Sequence, residues 1–78
     1  MIVHINKDEI TRQLARKNKS QNWLAMRLDI SSGYMSQLMR GTRHASPEVR
    51  RKLLELFSPL TFDDLFIIEE HYNGSNNS

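Results

Sequence analysis

The chain has no cysteine, which excludes a disulfide framework and any thiolate metal site. No apolar run is long enough to span a bilayer and no signal-peptide pattern opens the chain, so the expected compartment is cytoplasmic, with no membrane partner. The three histidines, His4, His44 and His71, lie far apart and share no metal-ligand spacing, so no metal site is expected. There is no phosphate-cradling Gly-rich loop, no nucleophile motif and no triad-like placement of Ser, His and Asp. The expectation is a chain that is not an enzyme and takes no cofactor. Its 78 residues leave room for one domain around one small core, without the sensor domain a small-molecule effector needs.

Lys and Arg are missing from the last third of the chain. Residues 1–52 hold all eleven of them against four acids, a net of +7, and residues 53–78 hold five acids and no base, a net of −5. A basic front and an acidic end suit a polyanion-binding face. A solvated surface that happens to be polarised fits the same numbers.

Strand patterning is also scarce. Only Met1–Ile5 reads that way, as an edge strand or a fraying end. The rest reads as five short helices. Asn6 caps the first, with Ile5 and Ile10 at hydrophobic-staple spacing and Ile10 and Leu14 on one face. Ser20 caps the second, whose apolar positions are Leu24, Ala25 and Leu28. Ser31 caps the third, with Met35 and Leu38 inward and Gly41 at its end, suited to positive φ. Ser46-Pro47 starts the fourth, with Val49, Leu53, Leu56 and Phe57 as its stripe. Thr61 caps the fifth, in which Phe62, Leu65 and Phe66 face the core and Ile67 and Ile68 turn away from it. Residues 73–78 carry no apolar side chain and read as a disordered tail. The expected domain is therefore residues 1–72, with an all-α fold.

The most informative stretch is residues 21–41, QNWLAMRLDISSGYMSQLMRG. Two short helices joined by about four residues fit a helix-turn-helix joint. Leu24, Leu28, Ile30, Met35 and Leu38 have the spacing to pack the pair together, and Ala25 is small where the helices cross. The outward positions of the third helix are Ser32, Gly33, Ser36, Gln37 and Arg40, small or hydrogen-bonding and without an acid. That composition suits the major groove. Short side chains allow close approach, Gln reads base edges and Arg neutralises phosphate.

This stretch resembles the helix-turn-helix of the phage-repressor and Cro-like family, also called lambda-repressor-like or xenobiotic-response-element proteins. The segment Ser31–Gly41 is similar to the recognition helix of many members. A basic loop and a Ser-Pro helix start follow, and Phe62-Asp-Asp-Leu-Phe66 opens the last helix as in relatives. The likeness covers roughly residues 7–68. It implies a compact five-helix domain that binds operator DNA, usually as a dimer. Two departures stand out. Asp29 occupies a turn position where Gly is common, and Asp tolerates left-handed geometry better than most residues. Leu14 and Met39 stand where many members bury an Arg–Glu pair, and apolar replacement of such a pair is tolerated.

The expected base-contacting residues are Gln37, Ser32, Gly33, Ser36 and Tyr34. Gln37 comes first, because its place in the family reads bases. Tyr34 suits a phosphate, a thymine methyl or packing on the second helix equally. The expected phosphate contacts are Ser20, Gln21, Ser31, Lys19, Arg40, Thr42, Arg43 and His44, with Lys17 and Arg27 as weaker candidates. Trp23 is expected to pack in the core or at its rim. Phe66, Ile67 and Ile68 exceed what one core-facing stripe needs and are the expected dimer surface. The functional expectation is a sequence-specific double-stranded DNA-binding regulator, a Cro-like repressor and homodimer on DNA. The alternative is a protein-interaction module of antitoxin or antirepressor type, docking a partner through its acidic, apolar end.

Overall fold

The computed structural model describes residues 1–70. The expected tail at 73–78 and the last two residues of the expected domain, His71 and Tyr72, lie outside the described residues. The order of elements is β1 (Ile2–Ile5), α1 (Lys7–Lys17), α2 (Gln21–Leu28), α3 (Ser32–Arg40), α4 (Pro47–Leu56), α5 (Phe62–Leu65) and β2 (Phe66–Glu69). None of these helices is long and apolar enough to cross a membrane.

Each long helix begins where a short polar side chain can satisfy a free backbone N–H. Asn6, Ser20, Ser31 and Ser46 accept from the N–H groups of Glu9, Trp23, Tyr34 and Val49. The stops follow equally local chemistry. Asn18, Asp29 and Gly41 hold φ values of 56°, 59° and 79°. Asn and Asp enter this left-handed region more readily than other side-chain-bearing residues, and Gly enters it freely. Lys52 Nζ donates to the Leu28 carbonyl at 3.1 Å, satisfying an acceptor that the end of α2 leaves over.

The core gathers one stripe from every helix. Ile10 and Leu14 come from α1, Leu24, Ala25 and Leu28 from α2, Met35 and Leu38 from α3, Val49 and Leu53 from α4, and Leu65 from α5. Ile30, Met39 and Trp23 are half-buried against it. With Leu14 buried and Met39 packed on the core, the site of the expected departure is apolar and needs no ion pair.

The C-terminal end departs from the all-α expectation. The fifth helix is a single turn of four residues, and Phe66 leaves it with φ −134° and ψ 157°. Residues 66–69 form a strand, pairing antiparallel with β1 in the register Ile2↔Glu69, Val3↔Ile68, His4↔Ile67 and Ile5↔Phe66. The fold is therefore mostly helical with a two-stranded sheet. The cause is a partner distant in sequence. Successive Ile residues lose side-chain freedom in a helix and pack well on a pleated surface, and β1 offers the ladder. Asn6 N–H continues that ladder to the Leu65 carbonyl at 2.7 Å, and Ala45 N–H closes the other edge of β1 at Val3. His4 Nε2 lies 2.7 Å from Glu69 Oε1 across the sheet. Phe66 is only 4% exposed, so its ring belongs to the core and not to the expected dimer surface. Ile67 and Ile68 remain 53% and 44% exposed.

Candidate nucleic-acid interface

The turn at residues 29–31 sets α3 against α2, and its burial pattern fixes which side of α3 faces out. Met35 and Leu38 point inward. Helical spacing then places Ser32, Ser36 and Arg40 in one outward row and Gly33 and Gln37 beside it. Ser32, Gly33 and Arg40 are exposed, whereas Ser36, Gln37 and Tyr34 are half-buried. At Gly33 an added Cβ would meet only Ser31 Oγ, at 3.9 Å. The domain itself therefore has no packing need for glycine there.

The start of α2 lies beside the middle of α3. Gln21 Nε2 is 3.5 Å from Ser36 Oγ, and both residues line a groove shared with Lys7, Thr11, Met39 and Arg40. This groove holds two cations and several hydrogen-bonding groups but no acid. Lys7 and Thr11 were not among the expected site residues. Their i, i+4 spacing marks them as one face of α1, yet nothing local shows that this face meets α3.

Past Gly41 the chain doubles back. Thr42 sends both its N–H and its hydroxyl to the Gln37 carbonyl, at 3.0 and 3.3 Å. Arg43 Nη1 donates to Gln37 Oε1 at 3.2 Å, and its guanidinium sits 4.9 Å from the centre of the Tyr34 ring. His44 is exposed beyond it. On the far side of α2, Lys19 and Arg27 flank the Trp23 ring at 5.5 and 5.9 Å. Trp23 thus packs at the rim of the core, beneath two cations. The structure brings together Gln21, Ser36 and Arg40, and separately Tyr34, Gln37 and Arg43. Ser20 and Ser31 are occupied as caps, their hydroxyls accepting from the N–H groups of Trp23 and Tyr34.

The basic residues divide into two groups. On α4 they are spent within the fold. Arg51 donates to Glu48 and Glu55 at 2.7 and 2.8 Å, and its hydrogen bond and charge hold the Glu48 carboxyl below the ordinary carboxylate range. Arg50 donates to the Ala45 carbonyl. On the other helices Arg12 lies 3.8 Å from Glu9, Lys17 sits over the Phe57 ring, and Lys7, Arg16, Lys17, Lys19, Arg27, Arg40 and Arg43 have no ion pair within 4.0 Å among the described residues. No cluster of three metal-ligating side chains occurs among the described residues. No family model, no curated protein and no solved structure matches the chain.

Proposed function

We propose that this chain is a sequence-specific regulator of the lambda-repressor-like class that binds double-stranded DNA, with α2 and α3 as its helix-turn-helix. One observation carries the reading. The outward face of α3 offers Ser32, Gly33, Ser36, Gln37 and Arg40 without an acid, and cations without ion pairs flank it on both sides. A helix in the major groove needs that combination of close approach, hydrogen-bonding side chains and phosphate neutralisation. In this reading Gln37 and its neighbours meet base edges. Lys7, Lys19, Arg40, Thr42, His44 and the N–H groups opening α2 and α3 meet phosphates.

The direct test compares two duplexes, a preferred site and a random sequence. Gln37→Ala is expected to cost about 1–3 kcal/mol on the preferred site and far less on random DNA. Equal losses on both would show that Gln37 reads no base. Gly33→Ala adds a second test. It should raise the thermal stability by roughly 0.5–1 kcal/mol, as a helical Gly→Ala change does, and still weaken DNA binding by blocking close approach. A stabilised variant with unchanged affinity would remove Gly33 from the interface.

One recognition helix covers too few base pairs to select a genomic site. Proteins of this architecture bind as two-fold dimers on half-sites about 34–36 Å apart. The surface offered for this is Ile67 on β2, 53% exposed, with Ile68, 44% exposed, on the opposite face of the strand. Ile67→Asp is expected to leave the fold intact and to convert a two-chain complex on a palindromic duplex into a weaker one-chain complex, read by sedimentation. A wild-type complex of one chain per full site at saturation would remove the dimer. A partner protein bound at the same isoleucines, with no affinity for DNA, would favour the interaction-module reading.

A further inference from the structure

We infer that Arg43 determines which base Gln37 reads, and that the pair selects guanine. The inference rests on the DNA-binding reading above and concerns the base chosen at one position of the site.

A free glutamine amide pairs most naturally with adenine. Its Nε2 donates to N7 and its Oε1 accepts from the N6 amino group. In this protein the acceptor half is already engaged. Arg43 Nη1 donates to Gln37 Oε1 at 3.2 Å. A guanidinium carries donors only, so this bond also fixes the amide orientation, with the oxygen towards Arg43 and the nitrogen turned from it.

Two features hold the arrangement. The double hydrogen bond from Thr42 to the Gln37 carbonyl ties the loop to the last turn of α3. The Tyr34 ring lies 4.9 Å from the guanidinium, a contact that favours the cation and limits its rotation. The pair keeps the Gln37 Nε2 hydrogens and the remaining Arg43 N–H groups free to donate. This surface has donors and a positive charge, and its one acceptor oxygen already carries the Arg43 bond and keeps a single lone pair beside the guanidinium. The adenine amino group would have to compete for that lone pair against the neighbouring guanidinium hydrogens. Guanine, with O6 and N7 side by side, is the base whose major-groove edge offers two adjacent acceptors. Arg43 is thus a specificity-determining residue through its bond to Gln37, in place of the general phosphate contact expected from the sequence.

The test is selection of bound duplexes from a random pool by wild type, Arg43→Met and Gln37→Ala. Methionine keeps an apolar stem against Tyr34 and removes every donor. Wild type should enrich guanine at one position of each half-site, by roughly ten-fold or more over adenine. Arg43→Met should switch that position to adenine and leave the other positions unchanged. Gln37→Ala should erase the preference there. In the DNA-free protein, Arg43→Met should also shift the NMR resonances of the Gln37 side-chain amide. Adenine selected by wild type, guanine retained by Arg43→Met, or an Arg43→Met loss equal on all sequences would each overturn the inference while leaving DNA binding in place. A wild-type protein that enriches no sequence and binds no duplex would overturn the DNA reading and this inference together.

Discussion

Raising salt from 50 to 200 mM is expected to lower affinity for duplex DNA by about 10³- to 10⁵-fold. That is the loss seen when a protein neutralises roughly six to ten phosphates and releases their counterions. In the proposed dimer, two subunits each using Lys7, Lys19, Arg40 and the amides opening α2 would reach that number. Arg40→Ala should flatten the log–log slope by about 0.9 per subunit and weaken all sequences alike. Arg51→Ala is the matched control. Its guanidinium is committed to Glu48 and Glu55 on α4, so the slope should not change. A slope that is shallow in the wild type, or as sensitive to Arg51 as to Arg40, would place the polyanion contact elsewhere or remove it.

The second large effect is on folding. Leu24→Ala is expected to destabilise the domain by about 2–5 kcal/mol, the range for truncating a fully buried leucine. Leu24 is 0% exposed and lies where α2 contributes to the core. A core in a chain of this size rarely supplies more than about 3–5 kcal/mol of net stability, so the variant should be largely unfolded at 25 °C by circular dichroism. Met26→Ala provides the contrast. Met26 is 78% exposed on the same helix, and a change there should stay within about 0.5 kcal/mol. Equal melting curves for wild type and Leu24→Ala would contradict the packing described.

The helices were legible because their determinants are local. Asn6, Ser20, Ser31 and Ser46 are short polar residues just before apolar-periodic runs, and each caps a helix in the structure. Asp29 was readable as a left-handed stop, since few side chains tolerate that geometry. The expected core residues of α1 to α3 are buried for the same reason, since a 3.6-residue period is visible in the sequence. The C-terminal end was not legible. Thr61 and the acids after it do start a helical turn, and Asp64 accepts from the Thr61 N–H at 2.8 Å. What stops the helix at Leu65 is a ladder with residues 2–5, some sixty positions earlier, which no local pattern announces. Phe66 therefore keeps its expected place in the core and leaves the expected dimer surface, and Ile67 and Ile68 move from a helix to a strand.

The candidate site divides the same way. Ser32, Gly33, Ser36, Gln37 and Arg40 were readable as one helix face. The bond from Arg43 to Gln37 depends on the path of the loop after Gly41, and the groove formed by Lys7 with Arg40 depends on how α1 meets α3. Both are tertiary facts that spacing along the chain does not encode.

The proposed docking of duplex DNA on the α2–α3 face can be read by NMR titration of the uniformly ¹⁵N-labelled protein. The largest amide shifts are expected at Ser20–Trp23 and Ser31–Arg43, with Lys7 joining them, and all should weaken together as salt is raised. Shifts confined to β2 and α4, or no shifts at low salt, would contradict that docking.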